Sequence, residues 1–145
     1  MKKLVRLICM ILVCSSVLAV PAQAAAENAR ASMFFASYGM DLYKTSSTSF
    51  EIWFDVTANA ATMDVLGVSE ILLYKSADQQ SWQQIKMYSM NAYAGMVDYN
   101  TTSHGGCVSY NFATPGYYYR AYITFYAKNS TGTGERYFYT EILHM

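Results

Sequence analysis

Five tyrosines near the C-terminus, Tyr118, Tyr122, Tyr126, Tyr137 and Tyr139, have the type and spacing of a binding surface. In a strand, residues two apart share a face, so each set projects to one side, and two paired strands would bring the rings together. A flat array of phenols offers apolar faces on which sugar rings or peptide side chains stack, and hydroxyls that both donate and accept hydrogen bonds. Tyrosine also favours strands for its own sake, and cross-strand ring pairs stabilise a hairpin by roughly 0.2–1 kcal/mol each, so the same residues serve a purely structural role equally well.

A thiol, an imidazole and an amide lie close in sequence at Cys107, His104 and Asn100. A cysteine nucleophile needs an imidazole within hydrogen-bond reach and donors for the oxyanion, and cysteine hydrolases usually bring that histidine from far along the chain. The local grouping is therefore weak, and a buried free thiol is the expectation for Cys107. Outside the first 24 residues there are two histidines, His104 and His144, and one cysteine, with no clustered ligand spacing, so no metal is expected. Asp98, Asn100 and Thr101 would supply only part of a calcium loop. The Gly132-Thr133-Gly134 segment lacks the lysine and following helix of a phosphate loop, and the carboxylates are scattered, so neither a nucleotide site nor a glycosidase pair is nominated. No cofactor is expected, and the chain reads as non-catalytic.

The tyrosines must be positioned by a hairpin. Residues 115–141 contain seven of the fourteen tyrosines and read as two alternating runs joined by a polar turn over residues 129–134. Tyr119, Ala121, Ile123, Phe125 and Ala127 would face inward, matched by Phe138 and Ile142 on the second strand. Upstream, Phe50, Ile52, Phe54 and Val56 alternate with Glu51, Trp53, Asp55 and Thr57 in the clearest half-buried strand. Residues 34–43, 69–75 and 82–88 add three more strands, and Val108, Tyr110 and Phe112 a further one. Residues 58–68 read as a connection. Residues 89–106, rich in Gly, Asn, Thr and Ser, read as a long loop.

The first residues bound the compartment. Lys2, Lys3 and Arg6 precede an apolar run over 7–20 and the small-x-small site Ala22-Gln23-Ala24, the pattern of a secretory signal peptide, cleaved after Ala24 or Ala26. Val13 before Cys14 argues against lipidation. The apolar run is short for a membrane span, so the mature chain is expected to be secreted and extracellular, with no sorting signal to anchor it. Losing the leader leaves seven basic against ten acidic residues, a net charge near minus three that argues against nucleic acid. A tail over 25–33 and one domain over 34–145 are expected, with Cys107 left unpaired.

Pro115-Gly116-Tyr117-Tyr118-Tyr119, the alternating strand and its glycine-containing turn resemble strands F and G of fibronectin type III domains. The resemblance implies that Tyr119 ties back to the preceding corner, and that residues 50–56 are strand B, although Trp53 has the wrong parity for that family's core tryptophan. A second resemblance, to small secreted proteins of Clostridia-like Firmicutes, is carried by Gly95-Met96, Tyr99-Asn100, Ser103-His104-Gly105, Val108-Ser109-Tyr110 and the run from Tyr118 to Ala127. It implies export and a single domain and supplies no mechanism, while the compact, lysine-led leader resembles those of Gram-positive bacteria. The expected fold is an all-β, seven-stranded antiparallel β-sandwich, fibronectin-III/immunoglobulin-like. Its expected role is to bind an extracellular glycan, peptide or surface protein through the aromatic face; the alternatives are a structural, self-assembling matrix or surface component that forms homo-oligomers and, more remotely, a small cysteine hydrolase around Cys107 and His104.

Overall fold

Alternation in the chain becomes a sandwich because each strand buries every second residue against the opposite sheet. A computed structural model describes residues 33–145, so the expected leader (1–24) and all but the last residue of the expected tail (25–33) lie outside the described residues. The strands are β1 (Phe35–Lys44), β2 (Phe50–Ala58), β3 (Met63–Ser76), β4 (Gln83–Ser89), β5 (Val97–Thr101), β6 (Ser103–Tyr110), β7 (Tyr118–Asn129), β8 (Gly132–Tyr139) and β9 (Leu143–His144). One sheet is ordered β1-β2-β6 and the other β4-β3-β7-β8, all antiparallel. Three strands on four is the fibronectin-III-like arrangement of seven strands. The short β5 and β9 add to the edges of β3 and β7.

The inner faces are those the pattern requires. Ile52, Phe54 and Val56 of β2 meet Ile71 and Leu73 of β3 and Ala121, Ile123 and Phe125 of β7, all buried. Tyr119 is fully buried, its ring 5.1 Å from that of Phe50, and its hydroxyl accepts the Thr114 amide proton at 2.8 Å. This is the corner tie that the resemblance implied. Tyr119→Phe leaves a backbone donor without its partner, so a loss of about 1–3 kcal/mol is expected in urea unfolding.

Four expectations are corrected. Residues 58–68 are not a connection: β3 starts at Met63, and a bulge at Ser69 shifts its register against β7. Buried residues therefore change parity, from Leu66 and Val68 to Ile71 and Leu73, which hides the first half of the strand from a period-two reading. The loop over 89–106 holds β5 and the start of β6, joined across Thr102. Its glycines mark close packing as well as a turn, since a Cβ on Gly106 would lie 2.8 Å from Cζ of Phe54. The hairpin turn is two residues, Ser130 and Thr131, with Asn129 Oδ1 accepting from the Thr131 amide at 2.9 Å. Gly134 is buried in β8, where the Phe34 ring occupies the place of a side chain. Finally, Phe112 lies beyond β6 and is 81% exposed, and Ile142 is exposed as well, whereas Phe138 keeps the expected inward side, opposite buried Ile123 and stacked on Tyr38 of the facing sheet at 4.9 Å.

The sheets are also tied at an edge. Tyr88 of β4 donates its hydroxyl to the Ser109 carbonyl of β6 at 3.1 Å. Burial, with smaller contributions from Tyr93 and Tyr110, raises the Tyr88 phenol from 10.0 to about 12. A raised folded-state value means that its contribution is complete below the unfolded value near 10 and is lost as pH rises toward 12. Thermal stability is expected to fall over that window, and less steeply in Tyr88→Phe.

Candidate functional site

The outer face of the larger sheet gathers the aromatic residues. β7 runs between β3 and β8, so Tyr122 lies opposite Leu72 on one side and Tyr139 on the other. The Tyr122 ring centroid is 4.9 Å from that of Tyr139 and 5.8 Å from that of Tyr137, and Tyr74 of β3 reaches Tyr139 at 6.2 Å. Tyr137 and Tyr139 remain 57% and 47% exposed. Burial first, then Tyr137, Tyr139 and Tyr74, pushes the Tyr122 hydroxyl above its ordinary range, so it stays protonated as donor and acceptor at neutral pH.

Arg120 extends this face toward β4. Its guanidinium carbon lies 4.1 Å from the centroid of the Trp82 ring and 4.3 Å from that of Tyr139, two cation–π contacts that hold the group between the rings. Trp82 is presented by the turn between β3 and β4, and that turn is built by its own polar side chains. Ser76 Oγ accepts the Gln79 amide proton at 2.9 Å, and Asp78 Oδ1 accepts from Gln80 and Ser81 at 2.9 and 2.8 Å. The indole N–H then donates to the Gln79 carbonyl at 3.0 Å. Beside Trp82 is a hollow of about 510 Å³ that it shares with Lys75, Ser76, Ser81, Gln83 and Tyr117. Lys75 sits 4.0 Å over the Tyr117 ring and donates to Thr114 Oγ1 at 2.8 Å.

The Ser81 and Gln80 amides, then the Ser76 hydroxyl, lower the Asp78 carboxyl from 3.8 to about 2. A lowered value means that the carboxylate supports the turn above pH 4 and ceases to as pH falls toward 2. The Trp82 indole proton signal is expected to hold its shift from pH 7 to 5 and to move only below pH 4. In Asp78→Ala it is expected to be displaced at every pH.

Of the five nominated tyrosines, Tyr122, Tyr137 and Tyr139 come together. Tyr118 stacks instead on His144 at 4.6 Å, and Tyr126 lies opposite Gly67 and Glu135, away from the ring cluster. Tyr74 and Trp82 were missed as site residues. The outward parity of Tyr74 beside buried Leu73 was a usable signal, whereas Trp82 lies just outside the strand and its direction is set by the turn.

Cys107, His104 and Asn100 are not assembled. Cys107 pairs with Trp53 and is exposed, which corrects the expected burial. Residual burial, then nearby Glu51, raises its thiol, which opposes thiolate formation. His104, three residues away on β6, faces the other way, its ring 5.9 Å from Phe54 and its Nε2 donating to the Gly95 carbonyl at 2.8 Å. Asn100 belongs to β5, in the other sheet, with a left-handed φ of 53°. Among the described residues no three His, Cys, Asp or Glu side chains are grouped to hold a metal, and no helix is long and apolar enough to cross a membrane. A second groove of about 430 Å³ on the smaller sheet is lined by Tyr43, Trp53, Asp41 and Asp55 among others.

Fold and face together define a fibronectin-III-like β-sandwich with an aromatic outer surface. The chain matches no protein-family model, and no curated protein is similar to it at a meaningful level.

Proposed function

We propose that the protein is a secreted, non-catalytic module of a Gram-positive bacterium, related to the small secreted proteins of Clostridia-like Firmicutes, that binds a glycan chain along the outer face of its larger sheet. One observation carries this reading: Trp82, Arg120, Tyr139, Tyr122, Tyr137 and Tyr74 form a single connected run of ring contacts, the tyrosine rings tilted by 35–58° to one another. Sugar rings lie on such surfaces through their C–H faces, while their hydroxyls meet phenols that can donate as well as accept. A peptide binding by strand addition would use a sheet edge, and these groups lie on a face. The leader over 1–24 supports export. The test is a glycan array probed with the protein and with the Tyr122→Ala/Tyr139→Ala double variant. Signal that survives in a variant with an unchanged circular dichroism spectrum would sink the proposal.

A second reading, self-assembly, is favoured by one feature: Cys107, Trp53 and Tyr43 are all exposed on the outer face of the smaller sheet. In an oxidising compartment an unpaired exposed thiol beside aromatic surface suits an intermolecular contact. A mass that stays monomeric by light scattering at high concentration without reductant excludes it.

A further inference from the structure

The outer face encloses one cation between aromatic rings. Arg120, opposite Tyr74, stands at the end of the face where Trp82 and Tyr139 enclose it. The carboxylates Glu70 and Glu135 lie opposite Thr124 and Tyr126, roughly 13 and 20 Å along β7 at the strand rise per residue. No carboxylate is paired with Arg120 among the described residues. Its Nε is sealed from solvent without a hydrogen-bond partner, the one such side-chain nitrogen or oxygen found among them. Lys75 is not part of this enclosure: it lies opposite buried Tyr119 and is held by Thr114 and the Tyr117 ring.

An arginine in this setting is a preorganised anion receptor. The two rings fix the guanidinium plane, so little rotamer freedom remains to be lost on binding, and they strip water from both of its faces. With Nε sealed, the accessible edge is the pair Nη1 and Nη2, which matches the two oxygens of one carboxylate end-on. The neighbouring phenols supply the stacking surface for the ring that carries it. Resting on the glycan reading above, we infer that the chain bound is an acidic one, whose uronic-acid-type carboxylate is taken by Arg120 while its sugar ring lies on Tyr139 and Tyr122.

The experiment is calorimetric titration of the protein with oligomers of galacturonic acid and of hyaluronan, each against its methyl ester, at low and at physiological salt. The inference expects one of the acids to bind at least tenfold more tightly than its own ester. That preference is expected to narrow as salt is added, to fall to about one in Arg120→Gln, and to recover only in part in Arg120→Lys, which restores a point charge without the planar fork. Equal affinity for acid and ester overturns the carboxylate inference and leaves glycan binding standing, as does an array that finds only neutral sugars. Failure to bind any sugar overturns the proposed function and this inference with it. Polyglutamate bound as tightly as the acidic sugar overturns the sugar as the source of the carboxylate. Should Arg120→Gln fail to fold, the comparison of acid with ester on the unaltered protein decides alone.

Discussion

Gly67→Ala is expected to destabilise the protein by about 3 kcal/mol, read as a lower urea midpoint with an unchanged slope. Gly67 is in the middle of β3, opposite Tyr126 of β7 on one side and Val97 of β5 on the other. A Cβ there would run into the Met96 carbonyl oxygen, come within 2.7 Å of the Val97 Cα and reach 3.0 Å from the His104 ring. The first two are backbone atoms, and the Met96 carbonyl is held in place by the Val68 amide, which donates to it at 2.7 Å. Relief would require β5 to leave β3, or Met96, fully buried, to be lifted from the core. A φ of +153° adds backbone strain for any side chain. Gly105→Ala is the control: its Cβ would meet only ordinary contacts at 3.6 and 3.9 Å, so a change within about 0.5 kcal/mol is expected. A loss below about 1 kcal/mol in Gly67→Ala would mean that β5 is not seated on β3 as described.

Trp82→Ala is expected to weaken glycan binding by about 2 kcal/mol, roughly thirtyfold, because anchors of this kind dominate binding surfaces. The effect has two sources. The indole is itself a stacking surface, and it is one wall of the clasp on Arg120, at 4.1 Å. Removing it frees the guanidinium to move and rehydrate, so the acidic ligand loses its preorganised partner as well as an aromatic face. Stability should change much less. Trp82 stands at the end of a turn whose amides still donate to Ser76 and Asp78, and it does not belong to the buried core. Trp53→Ala, on the outer face of the other sheet, should leave binding unaltered.

The sandwich was legible because its central strands keep strict alternation. Residues 50–56 and 119–127 each bury every second side chain, and nothing interrupts that period. Legibility ended where phase or closeness was decided by a partner. The bulge at Ser69 reverses the parity of β3, so Met63–Val68 reads as irregular although it pairs on both sides. Gly105, Gly106 and Gly134 look like turn residues, and sit in strands. Gly106 and Gly134 do so because Phe54 and Phe34 fill the space where side chains would be. The tyrosine face was visible from spacing alone, but its centre was not. Register places Tyr74 and Trp82 beside it, and Tyr118 is drawn to His144 by the pairing of β9 with β7, a contact between residues 26 positions apart. Arg120 could be assigned to the outer face by parity, whereas its enclosure by two rings depends on the turn at residues 76–82.

The most direct test of the central claim is a two-dimensional aromatic and indole NMR titration with the best-bound sugar of the array. The account predicts that the signals of Tyr74, Trp82, Tyr122, Tyr137 and Tyr139 move together, while those of Tyr43 and Trp53 stay fixed. Movement confined to Tyr43 and Trp53, with the five others unchanged, would contradict it and place the binding surface on the smaller sheet.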